Sequence, residues 1–455
     1  MLLLSNQIKI LIKGEDLVFP FFFEKKMRTD LAKWIDYLLW SVIIIIPSAI
    51  SFYDIQNLFS PFKFPVLLFF TGLILVLIIL HRRLKCDKIS LLAIFWILLV
   101  FIASLNAYNQ ELAFLGFYNG FGRYEGFLSL FCYVLLWIAA KNFLIINSKR
   151  ILIFFSGLIP FSFYALIQYY GKDPLVINYG FIPRIFSTIG NPNFVGSLAV
   201  MLVVLSSALF VLKRKWVYFY FAMLFFSTLV VCQTRSAWVA GAIVITGLIF
   251  YQFIIKKNFL YPFYLVIGYI IVCLILFNTQ KQNTVIQKSK TIAKEMDLSN
   301  EYGGSGRLKI WSITNKVLQQ NPLSGVGPEN LKLAIKEEQP KLHNEYYRRT
   351  RTTIDKAHNE YLHMAVTCGI PALCTYLLVI FMSFKSSIKS ILASTWCMAV
   401  CLAVTAYLIQ AFFNISVIAV APVFWIFLGG LAGNRFVSQE LMNENNQKNQ
   451  IKIVE

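Results

Sequence analysis

Long apolar stretches alternate with short polar ones along most of the chain. Each apolar stretch runs for roughly 17 to 22 residues, the length at which a helix crosses the hydrocarbon core of a bilayer. We therefore expect an all-α polytopic membrane protein of about twelve transmembrane helices. The predicted spans are residues 34–51, 64–81, 88–106, 125–140, 150–169, 193–212, 216–232, 236–254, 259–278, 359–383, 392–413 and 416–434.

Three longer polar parts lie outside these spans: an N-terminal extension, a large loop and a C-terminal tail. Residues 1–33 are predicted to form a cytoplasmic or interfacial extension, followed by spans one to nine within 34–278. A large, partly helical loop is expected at 279–358. Spans ten to twelve occupy 359–434, and a polar cytoplasmic tail follows at 435–455.

Composition and charge agree with this picture and add an orientation. The chain is 58% hydrophobic and only 14% charged, with a formal net charge of +20. The cations gather in alternate connections, such as HRRLKCDK at 81–88 and KRK at 213–215. Short basic loops mark the cytoplasmic side, whereas long loops are exempt from this rule. We predict both termini inside and the 279–358 loop outside, and no nucleic-acid partner.

Cofactor and metal sites are not predicted. The eight cysteines lie mostly within apolar runs and form no C-x-x-C pair, which is typical of small buried side chains. The segment HNEYLH places His358 and His363 five residues apart, on different faces of a helix. It therefore does not match the zinc-protease motif H-E-x-x-H.

Arg235 lies where one apolar block must turn. Residues 216–250 are too long for a single span and suit two, with the turn at 233–236. This places Arg235 at the outer interface, where two interpretations are equally favoured. The side chain either snorkels to the headgroups or serves a function within the bundle.

Arg307 and His358 are candidate site residues on the predicted outer loop. Apolar residues recur at helical spacing from Arg307 to Asn321, which predicts an amphipathic helix with Arg307 in its first turn. Asp355 is predicted to cap the next helix, with His358 at the third helical position. The helix N-terminus and nearby cations would keep the imidazole neutral and able to accept a proton. A solvated arginine and an ordinary interfacial histidine remain the alternatives, and His343 is a rival base.

Five motifs together resemble the O-antigen ligase superfamily, which includes O-antigen polymerases and protein O-oligosaccharyltransferases. The resemblance extends over about residues 110–430. The motifs are GNPNFVG at 190–196, TRSAW at 234–238, GRLKIW at 306–311, NPLSGVGPEN at 321–330 and AHNEYLHMAVTCGI at 357–370.

The resemblance implies a glycosyltransferase on the outer face of the cytoplasmic membrane. It would move a glycan from undecaprenyl diphosphate to a hydroxyl of a glycan, lipid or protein acceptor. The catalytic residues implied are His358, Arg307 and Arg235. The expected substrate-binding residues are Arg123, Arg184, Asn191, Asn193, Trp311 and Asn359.

Residue chemistry suits a metal-independent, inverting transfer. Arginine forks bind diphosphate oxygens and stay charged, so they stabilise the leaving group without Mg²⁺. His358 would take the proton of the acceptor hydroxyl. A flippase or polysaccharide transporter is the main alternative, but it predicts charged residues at mid-membrane depth, where this chain has few. A non-catalytic assembly partner is a third interpretation.

Overall fold

The computed structural model describes residues 26–50, 61–116, 123–175, 184–279, 306–434 and 436. The predicted tail and most of the N-terminal extension lie outside these residues, as does 280–305 of the predicted loop. The described parts of the chain are helical and contain no strand. The helices are α1 Lys26–Ser48, α2 Lys63–His81, α3 Lys88–Leu105, α4 Gln110–Leu115, α5 Phe127–Phe143, α6 Ser148–Gly157, α7 Ile159–Tyr169, α8 Pro192–Lys213, α9 Trp216–Val231, α10 Arg235–Phe250, α11 Leu260–Thr279, α12 Arg307–Gln320, α13 Leu331–Glu338, α14 Pro340–Thr350, α15 Glu360–Cys368, α16 Ile370–Ala393, α17 Thr395–Ala411 and α18 Ala421–Gly433.

Each predicted span coincides with one or two apolar helices. Within the described residues, eight helical stretches are long and apolar enough to cross a membrane, counting α6 with α7 as one. Four shorter apolar helices, α5, α9, α17 and α18, match the remaining predicted spans. The first helix begins at Lys26, so part of the predicted extension is helical. Twelve crossings with both termini inside stay a prediction.

The centre of the bundle is α8, which is apolar on every side. In its most apolar window, 94% of the residues are buried, as expected for a helix without a polar face. Helices α9, α10 and α17 pack around it. The helices α2 and α11 lie at the periphery, where 17% and 22% of the corresponding windows are buried. Their apolar side chains are therefore available to lipid.

The predicted span at 359–383 is not one helix. Gly369, whose φ is 89°, separates α15 from α16. At this break the NPLSGVGPEN segment docks by backbone hydrogen bonds. Val326 N donates to Val366 O at 3.0 Å, and Ile370 N donates to Pro322 O at 2.8 Å. The NPLSGVGPEN segment is thus tied to the helical bundle at the start of α16.

The helices that follow residue 306, beginning with α12 and α13, have an apolar core of their own. Ile313 and Val317 of α12 pack with Leu331 of α13 and with Ile354 and Val366. The residues just before α15 lie between two members of this core in the sequence, since Ile354 precedes them and Val366 follows them. The amphipathic helix predicted from Arg307 is confirmed, and its apolar face is the one that builds this core.

Gly369 is the position where we expect the largest backbone effect on stability. A Cβ there would overlap the carbonyl oxygen of Leu323, and the positive φ is unfavourable for any other residue. Gly369→Ala should therefore lower the free energy of unfolding by about 3 kcal/mol. Gly72→Ala on α2, where an added Cβ meets nothing within 4 Å, is the matched control. Thermal unfolding in detergent should separate the two, and equal melting temperatures would contradict the docking described here.

Candidate functional site

The predicted site residues lie at the starts of helices that meet at one end of the bundle. Arg123 precedes α5 by four residues, and Arg235 and Arg307 are the first residues of α10 and α12. Asn193 is in the first turn of α8. His358 lies just before α15. Helix N-termini carry partial positive charge, so this end favours anions before any side chain is counted.

His358 does not belong to the helix that follows it. Asn359 is the cap of α15, and its side-chain oxygen accepts a hydrogen bond from Leu362 N at 3.0 Å. The prediction that Asp355 caps this helix, with His358 at the third helical position, is therefore wrong. Asp355 lies instead beside Arg123, with Oδ2 3.2 Å from Nη1. His358 has a φ of 51°, a left-handed conformation.

The imidazole of His358 is held in its neutral form. Its pKa is lowered to about 4, mainly by burial and to a smaller extent by the cations Arg123, Arg307 and Lys356, against the opposing effect of Asp355. The predicted neutral state agrees with this direction, but its main cause is desolvation. A neutral histidine surrounded by cations can accept a proton and leaves the positive charge of the site to the arginines.

Arg123 joins three parts of the site. Its ion pair with Asp355 connects the start of α5 to the segment before His358. Its guanidinium also lies over the ring of Phe194 in α8, at 5.8 Å from the centroid. Arg123 thus reaches both the bundle and the outer segment, and it acts electrostatically on His358.

Arg184 is directed into the protein. Its Nη2 lies 3.0 Å from the carbonyl oxygens of Cys232 and Gln233, 2.9 Å from Thr234 Oγ1 and 3.2 Å from Asn193 Oδ1. These contacts hold the turn between α9 and α10, which confirms the turn predicted there. Arg235 follows this turn and is close enough to act on the Arg184 charge. A substrate contact of Arg184 stays a prediction.

The three predicted asparagines are all bound at helix starts. Asn191 caps α8 by accepting from Asn193 N at 2.9 Å, as Asn359 caps α15. The carbonyl oxygen of Asn193 accepts from Asn414 Nδ2 at 3.2 Å. These bonds shape the walls of the site, and a contact with substrate stays a prediction for each of them.

Trp311 supports the segment that carries His358. Its Nε1 donates to Ala357 O at 2.9 Å, one residue before the histidine. The ring lies edge-on to Phe412 at 5.6 Å and stacks with Phe413 at 6.4 Å between centroids. The indole therefore fixes the backbone beside His358, whereas its predicted contact with a sugar ring stays a prediction.

Sequence reasoning missed a group of charged residues beneath His358. Lys356 and Glu329 form a buried ion pair, and Lys356 Nζ is 3.4 Å from Nε2 of His363. Glu125 is also buried and interacts electrostatically with both Lys356 and Glu329. The available signal was that these charges stand within or beside the motifs of a chain with few charges.

Comparison with known families agrees with the motifs. Residues 220–377 match the family model described as O-antigen ligase. The match confirms the resemblance, since it contains four of the five motifs, from TRSAW to AHNEYLHMAVTCGI, together with Arg235, Arg307 and His358. GNPNFVG, Arg123 and Arg184 precede it. A search of curated proteins found no match.

Proposed function

We propose that this chain, whose residues 220–377 match the O-antigen ligase family model, transfers a glycan from a polyprenyl-diphosphate-linked donor to an acceptor hydroxyl. The observation that carries the proposal is the joint action of Arg123 and Arg307 on a half-buried, neutral His358. A proton acceptor surrounded by fixed cations suits a reaction in which a hydroxyl is deprotonated while a diphosphate leaves.

The arginines would bind the diphosphate of the donor. Their planar guanidinium groups match phosphate oxygens and stay charged at any physiological pH. As the bond from the anomeric carbon to the diphosphate oxygen breaks, negative charge grows on the leaving group. Arg307 and Arg235 would stabilise that charge, and Arg123 would lend its positive charge from the Asp355 ion pair. No step in this scheme uses a metal ion.

His358 would accept the proton of the acceptor hydroxyl. The oxygen of the acceptor hydroxyl then attacks the anomeric carbon from the side opposite the diphosphate, which inverts the configuration at that carbon. The electron pair of the broken bond stays on the polyprenyl diphosphate. Binding of an anionic donor would offset the charges of Arg123 and Arg307, so the pKa of His358 would rise. The base thus becomes stronger when the donor is present.

The position of the site suits a lipid-linked donor. Arg235 begins the helical stretch 235–255, which is long enough to cross a bilayer, and His358 precedes α15, the short helix that leads into the membrane-length helix α16. A diphosphate on a polyprenyl chain lies at the depth of such helix ends. We propose the outer face of the cytoplasmic membrane, because the basic short connections are predicted at the opposite ends of the helices.

The test is transfer by purified protein in EDTA, from undecaprenyl-diphosphate-linked glycan to a panel of glycan, lipid and protein acceptors. We expect product with at least one acceptor class and an inverted anomeric linkage by NMR. The reacting acceptor would distinguish ligation, polymerisation and protein glycosylation. Donor binding with no product from any acceptor would contradict a transferase and favour transport of the same lipid-linked glycan.

A further inference from the structure

Two opposite charges are buried directly beneath the segment that carries His358. The side chains of Lys356 and Glu329 form an ion pair and are 3% and 5% exposed. A buried ion pair is costly to desolvate and often adds nothing to stability that apolar residues would not supply. Its presence two residues from His358 therefore calls for an explanation beyond packing.

Glu329 is held in place from the bundle side. It has a φ of 60° and is the second-last residue of the docked NPLSGVGPEN segment. The next residue, Asn330, bonds the backbone of Asn109 in both directions, accepting from its N–H at 2.7 Å and donating to its carbonyl at 3.1 Å. The carboxylate of Glu329 is thus a fixed anchor against the end of the bundle.

Lys356 connects that anchor to the histidine. It lies in the non-helical stretch before His358, and the Trp311 indole donates a hydrogen bond to the carbonyl of the intervening Ala357. The stretch is therefore fixed by both a charge pair and an indole hydrogen bond. This double attachment limits how far the imidazole can move.

Lys356 also contributes to the electrostatic field around the imidazole. The charged groups that act on His358 are Asp355, Arg123, Arg307 and Lys356. Lys356 itself faces Glu329, Glu125 and His363. Lys356 is buried together with Glu329, whereas the side chains of Arg123 and Asp355 are 24% and 47% exposed.

We propose that the Lys356–Glu329 pair positions the imidazole of His358 and sets part of the charge around it. The pair is a positioning element, since it acts through His358 rather than on the substrate. Its effect on catalysis rests on the proposed function, in which His358 is the base. Its effect on the titration of His358 is independent of any activity.

The test replaces both charges at once with Glu329→Gln and Lys356→Gln. The amides keep similar size and hydrogen-bonding capacity and leave no unpaired buried charge. Removing the cation removes one factor that lowers the pKa of His358, so that pKa rises and the ring is protonated at higher pH. Carbethoxylation of His358, which needs the neutral ring, followed by peptide mass spectrometry should show this. We expect a higher midpoint, by a fraction of a pH unit, since burial rather than Lys356 is the main cause of the low pKa.

Activity gives a second readout. The acid limb of kcat/KM, which reports the free enzyme, should move in the same direction. Looser placement should lower kcat by roughly tenfold, with little change in KM for the donor.

The matched control is Asp36→Asn with Arg150→Gln. This pair is also buried, with 2.6 Å between Arg150 Nη2 and Asp36 Oδ2, but it lies beyond the opposite end of α5. We expect no change there in the carbethoxylation midpoint. An unchanged midpoint in the Glu329→Gln, Lys356→Gln protein, or an equal shift in the control, would overturn the inference. Failure of the wild type to transfer glycan would instead overturn the proposed function and leave the titration result standing.

Discussion

We expect His358→Asn to leave the protein folded and to lower the rate of glycan transfer by roughly 10²–10⁴-fold, the usual contribution of a general base. Asparagine is the sharpest substitution because it tolerates the left-handed backbone at this position, where φ is 51°. It has no ring nitrogen to accept the proton. Initial rates with saturating donor and acceptor, measured beside the thermal unfolding temperature, separate lost chemistry from lost folding.

His343→Asn is the matched control, since His343 stands on α14 in a similar sequence, HNEYY. Its ring contacts the neighbouring Asn344 at 3.4 Å. We expect this variant to retain wild-type rates. Loss of transfer at 343 with retention at 358 would make His343 the base and would contradict the site proposed here.

Arg307→Gln should lower kcat by roughly 10²–10³-fold, as for removal of one group that stabilises transition-state charge. The glutamine keeps polar atoms at the start of α12 but no charge to balance the departing diphosphate. Arg307→Lys should recover only part of the loss, because an ammonium lacks the two-pronged geometry of the guanidinium. The measurement is kcat and donor KM for each variant.

Lys316→Gln provides the comparison on the same helix. Lys316 is exposed on α12, so its replacement removes one positive charge without touching the site. We expect unchanged kcat. A similar fall in both variants would mean that overall positive charge, rather than a specific diphosphate contact, drives transfer, and it would contradict the role given to Arg307.

The fold could be predicted largely from hydropathy because lipid imposes one strong rule. Apolar stretches of sufficient length must be helical, and all twelve predicted stretches are. The break at Gly369 was missed because hydropathy continues smoothly from α15 into α16. The local signal was Gly369 followed by Pro371 in the first turn of α16, and the docked backbone around Leu323 packs against this break.

The site could be predicted in part, through motifs that carry Arg307 and His358. The conformation of His358 could not. Asp355 and Asn359 are both good N-cap residues, so local sequence leaves the start of α15 open. In the structure Asp355 forms an ion pair with Arg123, and Asn359 caps α15. Arg123 lies far from Asp355 in the sequence.

The Arg123–Asp355 ion pair also bears on the timing of biosynthesis. Its two residues are more than two hundred positions apart, and translation proceeds at about 5–20 residues per second. The interval between the synthesis of Arg123 and that of Asp355 is therefore roughly ten to fifty seconds. During this interval the site lacks both His358 and the outer segment. Under the proposed function, a nascent chain inserted only through α11 lacks its base, and glycan transfer would begin only after the late helices have been integrated.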